Sequence, residues 1–370
     1  MNKLSREDRA KILHLLCEGS SIRAISRITG ASKNTIAKLL VDAGRASAAY
    51  QDRVLRNLPC KRVQVDEIWS FVYAKKMNLP SAKAAPVDAG DVWTWTAIDA
   101  DTKLLASFYV SDRSYGAARE FIDDLAQRLA SGIQLTSDGH RAYLQAVVDA
   151  FGTEIDYAVL VKRYGKDGGS TPERRYSPPT CIGIEKDPIL GSPDMKHIST
   201  SYVERANLTM RMNMRRFTRL TNGFSKKIEN HACAVALHAM YYNFVRVHQT
   251  LKMTPAMAAG VTNRLWEMTD LVEMIEASVA RRSVARCGGN PDVASLIRAT
   301  VRARSKPSPR FKPLRLETRR RLGPGEKFDQ RLGRLRGLAL RADPSGKQGH
   351  DREFAWQRPD QLGACDGDDL

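Results

Sequence analysis

Three acids stand where a charge is costly or where ligands collect. Asp66 falls inside an apolar, β-branched run, Val65-Asp66-Glu67-Ile68-Trp69, and an acid among such residues needs a partner or a metal ion. Asp138 closes a second run, Leu135-Thr136-Ser137-Asp138-Gly139-His140, at the carboxyl end of a strand, where open α/β sheets place their ligands. Glu204 lies in Ser201-Tyr202-Val203-Glu204-Arg205-Ala206-Asn207, a helical stretch in which Glu204, Asn207 and Arg211 share one face. These are settings for a metal site. Glu67 is expected on the opposite face of its strand from Asp66, outside that site. Any one of the three acids alone is an ordinary cap, turn or ion pair; the ordered set points to chemistry.

The elements that must position these acids follow from the hydrophobic pattern. Val63–Val72 and Val92–Ile98 read as strands, Asp99-Ala100-Asp101-Thr102 as a hairpin turn and Leu104–Val110 as a third strand. A helix over Tyr115–Ala130 buries Ala118, Phe121, Ile122, Leu125 and Leu129. A strand over Ile133–Ser137, a helix over Arg141–Phe151 and a short strand over Tyr157–Lys162 come next. Strands in hairpin order, then strands alternating with helices, predict a mixed-sheet α/β domain. Residues 164–200, with Gly168-Gly169, Pro172, Pro178-Pro179, Pro188 and Pro193, read as an irregular insertion. The helical period resumes over Ser199–Phe217 and Ser225–His248, and Thr254-Pro255 caps a further short helix. Trp69, Trp93 and Trp95 read as core and sheet-face packing rather than as base-stacking platforms.

Residues 5–46 form a helical block. Ser5 caps a helix carrying Ile12, Leu13, Leu15 and Leu16, Ile22–Ile28 forms a second, Thr29-Gly30-Ala31 turns, and Ser32 caps a third helix to about Val41. This helix-turn-helix presents Lys33, Asn34, Thr35 and Lys38 early on its last helix, where they can reach base edges and phosphates in a major groove. The competing reading is a three-helix packing unit with a solvated face. Charge favours the first: 59 Lys+Arg against 41 Asp+Glu give +18, a surplus suited to a polyanionic partner. Gly44–Cys60 reads as a linker. The tail from about Arg281 holds 21 Lys+Arg against 11 Asp+Glu, is rich in Gly, Pro and Arg, and reads as disordered. The expected division is 1–48 as the DNA-binding module, 49–60 as linker, 61–280 as the catalytic domain and 281–370 as the basic tail.

The six cysteines (Cys17, Cys60, Cys181, Cys233, Cys287 and Cys365) form no CxxC pair, which argues against a zinc ribbon and a disulfide framework. The start of the chain has no apolar segment of the signal-peptide kind, and the most apolar stretch, Ala232–Met240, is too short to span a bilayer. The expectation is a soluble protein of the bacterial cytoplasm, associated with the nucleoid and not with a membrane.

In that order and in those elements, Val-Asp-Glu-Ile-Trp at 65–69, Ser-Asp-Gly-His at 137–140 and Tyr-Val-Glu-Arg-Ala-Asn-Leu at 202–208 resemble the DDE transposases of bacterial insertion sequences, most of all the insertion-sequence-one family. Tyr241-Tyr242-Asn243-Phe244-Val245-Arg246-Val247-His248 with Thr254-Pro255-Ala256-Met257 is similar to the segment that closes many such domains. The resemblance spans roughly residues 5–280. It implies a ribonuclease-H-like catalytic domain behind the helix-turn-helix, with Asp66, Asp138 and Glu204 as metal-binding catalytic triad, Arg211 as a basic residue near the DNA end, and His140 and Asn207 available to position DNA or water. Two departures stand out: the long spacing from Asp138 to Glu204, and the lack of the N-terminal zinc ribbon of some relatives.

The implied cofactor is a pair of Mg²⁺ ions, replaceable by Mn²⁺, since hard cations prefer carboxylate oxygens and water. Such ions support an in-line phosphodiester displacement: water frees a 3′-hydroxyl at the element end, and that hydroxyl attacks target DNA. The implied partners are double-stranded DNA, as terminal repeats and as target, and further copies of the chain in the DNA complex. Three alternatives stay open: a metal-dependent nuclease without strand transfer, a regulator using only the helix-turn-helix, and a decayed inactive copy.

Overall fold

The computed structural model describes residues 4–130, 132–165, 180–218 and 221–285, with side chains to 280. Of these, residues up to Leu160 and from Lys186 onward form one compact unit, and Val161–Glu185 belong to a second. Within the second unit Arg163 pairs with Glu185 at 2.5 Å. Most of the tail expected from Arg281 lies outside the described residues.

Three helices open the chain: α1 (Arg6–Cys17), α2 (Ile22–Thr29) and α3 (Lys33–Val54). Each begins as the sequence directs, with Ser5, Ser21 and Ser32 accepting the backbone N–H of Asp8, Ala24 and Thr35 at 3.0–3.1 Å. Gly30, at φ 72°, closes α2 in the left-handed conformation that favours glycine. α3 differs from expectation in length. It runs through the stretch read as linker, and its second half buries Ala43, Ala46, Ser47 and Gln51. The small residues there reflect close packing: a Cβ on Gly44 would lie 2.3 Å from the carbonyl oxygen of Cys233, on α7 (Ile228–Met240).

The central sheet has the order β3-β2-β1-β4-β5-β6. β1 (Arg62–Val72), β2 (Gly90–Asp99) and β3 (Leu105–Ser111) form an antiparallel meander, and β4 (Gln134–Ser137) and β5 (Asp156–Tyr164) continue it in parallel on the other side of β1. α4 (Tyr115–Arg128) and α5 (Arg141–Phe151) follow β3 and β4. Of the apolar positions expected of α4, Ala118, Phe121, Ile122 and Leu125 are buried at 0% exposure, while Leu129 lies just past the helix end and is half-buried. This mixed α/β sheet is compatible with a ribonuclease-H-like fold.

Two expectations change after β5. The segment 164–200 is not irregular throughout: Cys181–Leu190 forms β6, and 166–179 lie outside the described residues. Pro188 fits within β6 because the strand stands at the end of the sheet order, where a missing N–H breaks no ladder on the open side. The second change is α9 (Met268–Ala285), which the sequence did not suggest and which buries Leu271, Val272 and Ile275. Between them, α6 (Ser201–Asn213) ends earlier than expected and gives way to a 3₁₀ turn over Arg215–Phe217. α7 ends in a π turn over Tyr241–Val245, and α8 (Pro255–Ala258) follows the Thr254 cap. Within the π turn, buried Asn243 donates to the Leu105 carbonyl and accepts from its N–H, both at 3.0 Å, tying the helix end to β3. No helix among the described residues is long and apolar enough to cross a membrane.

Candidate metal centre

The site grows from the register of the parallel pair β1–β4. Gln64 lies opposite Thr136, so Asp66 and Asp138, each two residues further along, meet where β4 has stopped at Ser137. Beyond that point none of the described strands lies beside β1 on this flank, up to the Val72–Ser225 bridge at its end. A carboxylate from either face of β1 can therefore reach the gap. Glu67 does so, which corrects the expectation that it points away from Asp66. Carboxylate oxygens of Asp66, Glu67 and Asp138 all lie within 4.8 Å of one another.

Each of the three is held by its own partners. Asp66 Oδ2 accepts from the Asn207 amide at 2.8 Å, and Asn207 Oδ1 accepts from the Thr96 hydroxyl at 2.9 Å. Glu67, its side chain 1% exposed, accepts from Arg113 at 2.6 Å and from the Tyr143 hydroxyl at 3.0 Å. Arg113 lies 4.6 Å from the Trp93 ring centroid. Trp95 is fully buried and makes an edge contact with Tyr143. The tryptophans nearest the site thus pack the sheet, as the sequence suggests. Asp138 Oδ1 accepts the His140 N–H at 2.9 Å, a turn that starts α5.

Glu204 is not one of the three acids whose oxygens converge within 4.8 Å, but its charge acts on two of them. It is exposed on the first turn of α6, where the Thr200 hydroxyl donates to Oε1 at 2.6 Å. Its negative charge contributes to raising the carboxyls of both Asp66 and Asp138. α6 is docked by a residue not singled out from sequence: buried Gln64, whose Oε1 accepts the backbone N–H of Tyr202 and Val203 at 2.8 and 3.1 Å. One strand therefore carries Asp66 and Glu67 and also caps the helix that carries Glu204.

The electrostatics show what the cluster lacks. Burial first, then the charge of Asp138, lifts Asp66 to about 7. The same two causes, in the same order, lift Glu67 to about 8 against the pull of Arg113. Burial also raises Asp138. The hydrogen bonds that favour an ionised Asp66 come from neutral donors, the Glu67 backbone N–H and the Asn207 amide. An all-oxygen group whose members raise one another in this way fits a hard divalent cation, which would supply the missing positive charge.

His140 lies beside the site at the start of α5. Its Nδ1 accepts the Ala142 N–H at 3.0 Å, capping α5, which leaves the proton on Nε2, 3.8 Å from Glu67 Oε1. Burial, then Arg113, lowers it to about 4, so it is neutral at pH 7. Asn207 is buried and acts on Asp66 directly, while Arg211 is partly exposed two turns along α6 from Glu204. Lys33, Asn34, Thr35 and Lys38 are all exposed on the first turns of α3. Thr96, Arg113 and Tyr143 were not marked by sequence; they are distant in the chain and meet the acids only through the sheet and α5.

No protein-family model matches this chain, and no curated protein sequence does. Among solved structures it is similar to the piggyBac transposase in a cryo-EM synaptic complex with hairpin DNA, at a TM-score of 0.32 and 8% identity, covering 85% of this chain and 80% of that one. A likeness this distant assigns no residue and no role.

Proposed function

We propose that this chain is a DNA transposase of the DDE type, which cleaves at element ends and joins them to target DNA. The observation that carries the reading is the meeting of the Asp66, Glu67 and Asp138 carboxylates at the end of β4, with the Glu204 charge bearing on two of them. Its support from sequence is the ordered resemblance of the three segments to insertion-sequence transposases.

In this reading Asp66, Asp138 and Glu204 hold two Mg²⁺ ions, with Mn²⁺ able to replace them. When bound, such ions activate an oxygen nucleophile and stabilise a leaving oxygen at phosphorus. The chain's own residues prepare the ground. Asn207 orients Asp66, and Thr96 in turn fixes Asn207 so that its amide faces the carboxylate. Arg113 and Tyr143 hold the Glu67 carboxylate in place. Neutral His140 fixes the start of α5 and the turn that holds Asp138. Residues 1–48 supply end recognition through Lys33, Asn34, Thr35 and Lys38, Arg211 lies near the cleaved end, and further copies of the chain assemble on the DNA.

The test is a joining reaction. Purified protein is incubated with Mg²⁺, supercoiled plasmid and pre-cut DNA ends bearing the inverted repeats that flank the coding sequence. Joined products that vanish in EDTA and in Asp66→Asn are expected. Plasmid cutting without joined ends identifies a nuclease instead, and DNA binding with neither reaction leaves a regulator or a decayed copy.

A further inference from the structure

A second feature lies away from the acids. A cleft of about 400 Å³ opens between the start of α2, the start of α3, the 3₁₀ turn after α6 and one side of α7. Arg23, Lys33, Arg215 and Arg216 line it, and no acidic residue does among those described. None of the four forms an ion pair among the described residues. Arg216 is the most telling. Burial, its largest influence, lowers its guanidinium to about 10, and its hydrogen bond is to the neutral Ser225 hydroxyl at 2.6 Å. A half-buried cation with no counter-charge among the described residues favours an anion beside it.

An independent observation lies in the wall. His238 lines the cleft at 3% exposure, and its buried Nδ1 has no hydrogen-bond partner. It is held neutral, chiefly by burial and then by Arg246, so it sets no positive charge of its own against the four basic residues. Ile22 and Arg23, in the first turn of α2, also line this space, and their backbone N–H groups have no intrahelical acceptor. Leu40 and Leu237 form apolar wall, which limits competition from water for those donors. Guanidinium groups match the geometry of phosphate oxygens, and the volume lies within the range of small-ligand sites.

We propose that this cleft is a phosphate-binding site that seats one backbone phosphate of the bound DNA, an assignment that rests on the DNA-handling function above. Lys33 then works from the cleft wall on a phosphate rather than on a base. The site couples α2 and α3 to α7, so a seated phosphate fastens the three helices as well as the DNA.

The experiment uses the full chain and two probes, inorganic phosphate by equilibrium dialysis and duplex DNA in a salt titration. The variants are Arg215→Gln, Asn222→Glu and Asn222→Gln; Asn222 is exposed at the cleft, so its exchange should leave the fold intact, which a thermal melt checks. Saturable one-to-one phosphate binding is expected, weakened at least about tenfold by Arg215→Gln and by Asn222→Glu and within about twofold in Asn222→Gln. The slope of log affinity for DNA against log salt should fall by about one in the first two. Absence of saturable phosphate binding, or equal binding by Asn222→Glu, overturns the site whatever DNA does. Saturable phosphate binding in a protein that binds no DNA overturns the assignment to DNA and the function it rests on, and leaves an anion site.

Discussion

Carboxylates crowded into one gap oppose one another's ionisation, and around Asp66 that opposition should be measurable as stability. Asp66 and Glu67 are lifted to about 7 and about 8, burial being the first cause in each, whereas in an unfolded chain such groups titrate near 4. The native state therefore holds their protons more tightly. Stability conferred by the protonated forms is complete below about pH 4, is lost as pH rises towards 7–8, and levels off above that. We expect the thermal midpoint of the wild type in EDTA to fall relative to that of Asp66→Asn as pH rises from 5 to 8. The opposing gain from His140, His231 and His238 cancels in that difference. Mg²⁺ should restore the midpoint at pH 8 by at least about 2–4 °C. Identical pH profiles for wild type and Asp66→Asn in EDTA, with no response to Mg²⁺, would remove the metal centre. On activity, Asp66→Asn, Asp138→Asn and Glu204→Gln should each nearly abolish cleavage in the joining assay while DNA binding persists, because an amide is a weaker ligand for a hard cation. Glu67→Gln should cost about 10–100-fold, as loss of a residue supporting a metal site does; full activity would place Glu67 outside the machinery. The difference between these acids is also a difference in legibility. Asp66, Asp138 and Glu204 each stand in a recognisable local setting. Glu67 does not, because strand alternation sends it to the other face, and the gap where β4 ends at Ser137 is a tertiary fact.

At the scale of elements, small side chains can mean a loose linker or a tight contact, and periodicity alone does not separate the two. Gly44, Ala46, Ser47, Ala48 and Ala49 invite the first reading; in the structure they belong to α3, whose backbone approaches α7 closely. A Cβ on Gly44 would fall 2.3–2.5 Å from the oxygen, Cβ and Cα of Cys233, mostly main-chain atoms that cannot swing aside. Gly44→Ala should therefore destabilise by about 3 kcal/mol, the upper part of the range for overpacking, read as a lowered denaturant midpoint. Gly116→Ala is the control: its added Cβ meets nothing nearer than the Ser114 hydroxyl at 3.7 Å, inside α4, so it should be neutral or stabilise by about 0.4–1 kcal/mol. Equal effects at the two sites would mean that α3 and α7 do not pack so closely. β6 escaped notice for a related reason. Pro188 and Gly183 argue against a strand in a sheet interior but not at an edge, and the sequence does not say which strand is the edge. The meander β1–β3, by contrast, was legible almost to the residue, since its apolar runs are bounded by turn residues such as Asp101 and Thr102.

Across the whole molecule, the first three helices are tied to α7 and α9 rather than strung on a linker. Arg6 bonds Glu273 and Glu276 of α9 at 2.8 Å, and Arg9 bonds Glu276 at 2.7 Å. Buried Gln51 of α3 donates to the Ala236 carbonyl of α7 at 3.2 Å. Removing residues 1–48 would take away α1, α2 and most of α3, baring apolar surface on α7 and α9, so recognition of DNA ends is better tested by Asn34→Ala, expected to cost about 1–3 kcal/mol of discrimination if it reaches a base. The other end of the chain behaves differently. Residues 281–370 carry +10 of the net +18 and little aromatic content, a composition that adds electrostatic affinity without sequence preference. α9 runs through Ala285 and packs Leu271, Val272 and Ile275 into the core, so the dividing line belongs after that helix. A chain ending at Ala285 should keep its thermal midpoint and its joining activity at moderate salt, and should show weaker binding to random DNA with a shallower salt dependence. A chain ending at Glu267 should lose the α9 face and its ion pairs with α1, and melt many degrees lower or fail to fold. If the longer truncation unfolds like the shorter one, residues 286–370 are part of the core structure; if the shorter one melts like the full chain, α9 contributes nothing to it.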